Sequence, residues 1–344
     1  MKKPLPTCFP ELNYHELPYI AIRWEVVKTA LLISLFDHMS ESQSASDIAA
    51  RVECDAKNTE YLLNALTALG YVHKEDGLFC NTEQTEHFLT SRGDTGLAES
   101  LLAFDKWNEP ALNGRMLKLI KEGAPLSQDM VSEQVWADSA RKSINSSRCG
   151  RAQEIARLLS VLPDFNQWQK ILDIGAGPGL IGIAVAAAHP TLECYLFDRP
   201  VVIDVAQEVI KEYGMEDRVK TMSGDYSVDP LGEGYDAIIA SYTLNFYNEN
   251  EKLAPIMEKC FAALNPGGNL IIFSDGLSAE KTEPADMVIS WLPTALMGQD
   301  FSFEEDVLPQ AMLAAGFASV RTKTLTDKLI ASFGATEFHV GRKF

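Results

Sequence analysis

The sequence predicts an α/β protein in two parts: a helical module of winged-helix order, then a Rossmann-like domain built on a mostly parallel, seven-stranded sheet. Three observations carry that reading. Residues 170–179 read KILDIGAGPG, an apolar strand from Ile171 to Ile174 that breaks into Gly175, Gly177 and Gly179 and leads into an Ala- and Ile-rich helix, Leu180 to His189. Past this loop, strand and helix patterns alternate to Arg342, which implies a parallel sheet with helices on both faces. Ahead of it, three helices and a hairpin succeed one another between Tyr19 and Cys80, the order of a winged helix.

A chain of 344 residues has room for two domains with substantial cores. The expected division is residues 1–100 as the winged-helix module, 101–162 as a helical connector covering the active site, and 163–344 as the α/β domain. The net charge of −18 and pI near 4.8 argue against nucleic acid or an anionic membrane as partner and favour a small organic ligand. The apolar run from Ala30 through Phe36 is too short to cross a bilayer, and Met1-Lys2-Lys3 leads into prolines rather than a signal peptide. Cysteines at 8, 54, 80, 149, 194 and 260 lack metal-ligand spacing, so a reduced cytoplasmic protein without a metal is expected.

In chain order, apolar residues at helical spacing predict one long helix from Tyr19 to Met39. Helices Ser46 to Val52 and Asp55 to Leu69 follow, each with a Ser or Asp N-cap, and Gly70 stops the second. Tyr71 to Cys80 makes a hairpin around Glu75-Asp76-Gly77, because Asp-Gly suits a tight primed turn. A winged helix suggests DNA binding, but residues 19–100 hold 6 Lys or Arg against 13 Asp or Glu, a net of −7 that phosphates would repel. Pairing of two subunits through the module's apolar faces is the better use of this surface. Further helices are expected at 97–104, 111–121, 133–145 and 151–162, with Trp107, Met116 and Trp136 as candidates to line a pocket or simply to fill the core.

The α/β pattern continues with strand Leu192 to Phe197, helix Val201 to Tyr213, and strands Arg218 to Ser223 and Tyr235 to Ala240. Helix Glu251 to Leu264, strand Asn269 to Ser274, helix Glu304 to Ala315 and a hairpin of Ser319 to Leu325 with Thr336 to Arg342 complete it. Ligands bind outside the carboxyl ends of such strands, where the loops of Gly175, Asp198, Asp225 and Tyr242 converge. The glycines let a ligand approach the backbone, and the helix amides after them favour a carboxylate or phosphate. Asp198, nineteen residues beyond Gly179, can accept hydrogen bonds from both hydroxyls of a ribose. A nicotinamide dinucleotide and S-adenosylmethionine both fit these features.

Four motifs, LDIGAGPG at 172–179, FDRP at 197–200, SGDY at 223–226 and NPGG at 265–268, make residues 20–344 resemble the small-molecule O-methyltransferases that include caffeate and acetylserotonin methyltransferases. The resemblance implies a class I S-adenosylmethionine-dependent methyltransferase that is a homodimer through its N-terminal domain and acts on a small-molecule acceptor. It further implies that Gly175, Gly177 and Gly179 surround the amino acid end of the cofactor, with Asp173 also among the cofactor-binding residues. Asp198 would hold the ribose and Asp225 with Tyr226 the adenine, with Arg199, Gly224 and Ser241 as further cofactor-binding residues.

The family places a His-Asp pair after the fourth strand as its base, whereas this chain has Asn245 and Phe246 there. The supporting glutamates are also changed, with Ser274 beside Asp275 and with Asp300 in their places. An amide cannot act as a base at neutral pH, though it can orient a substrate. Three readings therefore stand: an acceptor that needs little base assistance, another base among Tyr242, Tyr247, Asp275, Asp300 and His339, or a cofactor-binding sensor or scaffold that does not methylate. A dehydrogenase is the remaining alternative.

Overall fold

The computed structural model describes residues 16–92, 95–125, 133–247, 250–278, 280–327, 330 and 335–344; Met1 to Lys3, Cys8 and His15 lie outside them. The chain divides into two compact units, Met1–Leu102 and Ala103–Phe344.

Among the described residues the first helix of this unit, Leu17–Leu32, ends sooner than the apolar spacing suggests. Ser34 turns into the left-handed region at φ 52°, and the chain tightens into a 3₁₀ turn, Leu35–His38, which buries Leu35 and Phe36. Helices Ala45–Arg51 and Ala56–Ala68 follow, capped by Ser44 and Asp55, whose side chains accept from the amides of Asp47 and Asn58. Strands Val72–Glu75 and Leu78–Asn81 form the expected hairpin, with Asp76 and Gly77 both at positive φ. A short strand, Gln43–Ser44, pairs with its second arm. Leu17, Tyr19, Ile20 and Ile22 remain exposed on the first helix.

The second unit carries the sheet. Its strands are β1 (Lys170–Ile174), β2 (Glu193–Asp198), β3 (Val219–Ser223), β4 (Tyr235–Ser241), β5 (Leu264–Ser274), β6 (Ser319–Leu325) and β7 (Thr336–Arg342). They lie in the order β6-β7-β5-β4-β1-β2-β3, all parallel except β7, which runs antiparallel to both neighbours. The order reverses between β1 and β4, where Ile174 lies opposite Ala240, while Asp198 on β2 lies opposite Ser223 on β3. Four strand ends thus converge at a topological switch point, the usual place for a ligand in such a sheet.

Helices α1 (Glu133–Ser146), α2 (Ala152–Ser160), α3 (Leu180–Ala187), α4 (Pro200–Glu212), α5 (Asn250–Ala263), α6 (Ala285–Leu296) and α7 (Val307–Ala314) belong to the same unit, as do the helix Arg115–Glu122 and a two-stranded pair of Gly276–Leu277 with Phe303–Glu304. Alternation along β1 feeds two cores: Ile171 packs with α2 and α3, and Leu172 and Ile174 pack with α5 and α7. Helix α6 was not apparent in the sequence because Pro284 and Pro293 look like breakers. Pro284 instead occupies the N-cap, and Pro293 sits within the helix. The NPGG motif is not a turn ahead of the strand but a bulge within it. Tyr235 pairs with Leu264 and Ala237 with Asn269, so residues 265–268 loop out opposite Asp236. Asn265 Nδ2 donates to Asp236 Oδ1 at 2.9 Å, and the Gly267 amide donates to the Lys343 carbonyl at 2.8 Å, which anchors the end of the chain. Among the described residues no helix is long and apolar enough to cross a membrane.

Candidate active site

A cleft of about 260 Å³ opens at the switch point. It brings together Gly175, Gly177, Asp198, Arg199, Gly224, Asp225, Tyr226 and Tyr242 from the residues expected on sequence. Trp136, Ser139, Ala140, Ser143, Val202, Thr243, Phe246 and Tyr247 join them. Asp173, Gly179, Ser241, Asn245, Asp275 and Asp300 do not line it.

The glycine loop is built by backbone conformation. Gly175, Gly177 and Gly179 all have positive φ, at 61°, 56° and 80°. The Gly175 amide donates to the Phe197 carbonyl at 2.8 Å, and the Gly177 amide to Asp198 Oδ2 at 2.8 Å, so the loop after β1 is stitched to the end of β2. The other Asp198 oxygen accepts from the Arg199 amide at 2.7 Å. A Cβ on Gly179 would meet Leu196, whereas one on Gly177 would meet nothing within 4 Å. Gly177 therefore leaves room for a ligand, and Gly179 serves the packing of α3.

The two acids of the cleft are tuned in opposite directions. Burial pushes Asp198 up, against the two amides and Arg199. Burial also opposes ionisation of Asp225, yet the Ser227 hydroxyl and amide, Arg199 and the Tyr247 hydroxyl together hold it below the usual carboxylate range. Arg199 Nη2 lies 3.4 Å from Asp225 Oδ2. Tyr226 is nearly buried, and its hydroxyl donates to the Thr243 carbonyl at 2.9 Å. Thr243 had no signal in the sequence; it supports both Tyr226 and the back of Gly175.

Asp173 points away from the cleft because strand alternation places it on the Ile171 face, under α3. Burial raises its carboxyl to about 7, partly offset by the Gly182 amide, and Asp198 adds to the rise; its Oδ2 has no hydrogen-bond partner. Beyond β4, Tyr242 holds a positive φ of 54°, and its hydroxyl is engaged with Thr336 Oγ1 at 2.7 Å and the Ile330 carbonyl at 3.0 Å. Burial lifts its pKa to about 12.

Asn245 is buried in the 3₁₀ turn Leu244–Tyr247. Its Nδ2 donates to the Phe301 carbonyl at 2.9 Å, which leaves Oδ1 buried and without a partner. Phe301 packs edge-on against Phe246 and Trp291, and Phe246 against Trp136, so an aromatic row extends from the cleft past Asn245. The Ser241 and Ser274 hydroxyls are also buried and unpartnered. Asp275, at the end of β5, is raised by burial to about 6, with Arg151 pulling it back down. Asp300 is half-exposed, bound to Ser302 and to Lys281 Nζ at 3.3 Å. Although burial opposes it, these partners hold its carboxyl below the ordinary range.

Residues 143–317 match the family model of the O-methyltransferase domain, and residues 17–91 match the O-methyltransferase dimerisation domain. The chain belongs to the O-methyltransferase family. An uncharacterized protein of Methanocaldococcus jannaschii is 27% identical over 250 residues, which span 72% of this chain and 65% of that protein. The S-adenosyl-L-methionine-dependent methyl transferase PigF of a Serratia species is 28% identical over 328 residues, 90% of this chain and 92% of its own length. Human N-acetylserotonin methyltransferase, solved in complex with SAM, shares the fold at a TM-score of 0.78 and 17% identity, over 98% of this chain and 99% of that one. As in its O-methyltransferase relatives, a helical N-terminal domain here precedes the mostly parallel seven-stranded sheet.

Proposed function

We propose that this O-methyltransferase family member transfers a methyl group from S-adenosylmethionine to a small-molecule acceptor, without the histidine base usual in the family. The observation that carries the reading is the cleft at the switch point, where an open Gly177 backbone and two oppositely tuned acids face one volume. These residues suit an adenosyl ligand. Asp198 would accept from the ribose hydroxyls, with Arg199 beside it. Asp225, ionised, would accept from the adenine amino group, with Gly224 and Tyr226 forming that wall. Gly175 and Gly177 would surround the amino acid end, while Asp173, Gly179 and Ser241 support the loops from behind. When bound, S-adenosylmethionine supplies a methyl carbon activated by a sulfonium.

The chain's own residues then have to position the acceptor and manage its proton. Asn245 offers a fixed carbonyl oxygen, because its amide nitrogen is committed to Phe301. It orients a hydroxyl or N–H of the acceptor and takes no proton. Among the candidate bases, Tyr242 holds its own proton too tightly and Asp300 too weakly. Asp275, near pH 6, is the group suited to receive one. The homodimer is supported by the match to the dimerisation domain and by the exposed apolar residues of the first helix. A cytoplasmic setting belongs to the same reading.

A methyl-donor assay over thiols, phenols and carboxylic acids tests the proposal. Turnover that Asp225→Ala abolishes is the expected result. Binding of S-adenosylhomocysteine without turnover of any acceptor class would instead support the sensor or scaffold reading that Asn245 favours.

A further inference from the structure

Helix α1 forms one wall of the cleft through Trp136, Ser139, Ala140 and Ser143. Its apolar seam against α4 is small, with Ala140, Val202 and Val205 as the buried members and Trp136, Ile144 and Val201 partly buried around them; Ile144 also reaches the edge of the main core. Three charged pairs add to this seam. Glu133 at the start of α1 pairs with Arg199 Nη1 at 3.2 Å, Arg141 forks onto both oxygens of Glu208 at 2.7 and 2.9 Å, and Arg148 just past the helix pairs with Glu212 at 2.6 Å. The three pairs form a ladder along α4. The first rung also reaches the cleft, because Arg199 Nη2 contacts Asp225 and the guanidinium lies 5.5 Å over the Trp136 ring. At its far end α1 runs into a π turn, Ser147–Arg151, where Gly150 adopts φ 124° and ψ −19°, a backbone geometry that side chains disfavour.

We infer that α1 is an ionically latched lid on the cleft. It pivots at Gly150 to admit and release the adenosyl ligand, and the α4 ladder closes it. Arg199 is the positioning residue that ties the lid to the acid corner. A deeply packed helix would have to leave a core in order to open. Here the middle rung is half-exposed on both sides, and such pairs are individually weak and screened by salt. This inference rests on the adenosyl reading of the cleft.

The test uses the full-length protein with S-adenosylhomocysteine, measuring its dissociation rate by stopped flow in low and high sodium chloride. Wild type should release the ligand about fivefold faster at high salt, Arg141→Gln about threefold faster at low salt, and the swapped pair Arg141→Glu with Glu208→Arg near the wild-type rate. Hydrogen exchange of residues 133–146 in the ligand-free protein should quicken in Arg141→Gln and recover in the swap. Arg141 and Glu208 do not line the cleft, so a general loss of binding does not imitate this pattern. Dissociation indifferent to salt and to Arg141→Gln overturns the latch while leaving the adenosyl reading intact. Absence of any binding removes the adenosyl reading, and unchanged exchange would then remove the latch too.

Discussion

Alanine at Gly175 and at Gly177 should have different consequences, although both positions sit in one loop at nearly the same φ. Forcing an L-residue into that left-handed region costs about 1–2 kcal/mol at either site. At Gly175 the new methyl would stand 1.9 Å from Thr243 Oγ1 and 2.5 Å from its Cβ, so Thr243 must move. Thr243 accepts the buried Tyr226 hydroxyl, and overpacking of this kind adds about 1–3 kcal/mol. Gly175→Ala should therefore lose about 2–5 kcal/mol of stability in urea unfolding. Gly177→Ala should lose only about 1–2 kcal/mol, because nothing lies within 4 Å of the added methyl. That methyl would project into the space assigned to the ligand, so calorimetry should show S-adenosylhomocysteine bound about tenfold more weakly, or about 1.4 kcal/mol. Equal stabilities for the two variants would refute the packing argument. Unchanged ligand affinity in Gly177→Ala would refute the assignment of that space.

Asn245→Ala should lower turnover far less than the roughly 100-fold expected on losing a general base, since the amide only orients. A collapse in rate at unchanged cofactor affinity would show that Asn245 does more. His339, buried on β7 beside Thr322, has its pKa lowered to about 4 by burial, so the unfolded chain binds the proton more readily. Its contribution to stability is present above the ordinary value near 6.5 and is lost as pH falls toward 4, by about 3 kcal/mol in total. Asp173 and Asp275, raised by burial, act with the opposite sign, because the folded state holds their protons longer as pH rises. Denaturant titrations of wild type and His339→Gln at pH 4 and pH 7 isolate the histidine, and parallel pH profiles would contradict its assignment.

Local signals were the legible ones. The apolar run of β1, the glycines after it and Asp198 at the end of β2 are set by short-range chemistry, and they lie where the spacing puts them. The same holds for the Asp55 cap and the Asp76-Gly77 turn in the first unit. What escaped the sequence depends on distant partners. Ser139 and Ser143, unlike their neighbour Trp136, carried no pocket signal, and they reach the cleft because α1 is tied to α4 across more than sixty positions of chain, as in the Arg141–Glu208 pair. Thr243 and the left-handed Tyr242 carry no motif; their roles follow from Gly175 and from the β7 side of the sheet. Asp173 reads as part of the glycine motif, yet strand alternation turns it under α3, where its burial rather than ligand contact raises its pKa. The amide orientation of Asn245, fixed by a carbonyl fifty-six residues later, is likewise a property of the fold.

If the switch-point cleft binds an adenosyl ligand through Asp198, titration calorimetry of S-adenosylhomocysteine into wild type and Asp198→Ala reads that contact. The carboxylate accepts the Gly177 and Arg199 amides and would also accept the ribose, so its loss should weaken saturable binding by about 1–3 kcal/mol. No heat with S-adenosylhomocysteine, together with saturation by NAD, would contradict adenosyl binding and point to a dehydrogenase.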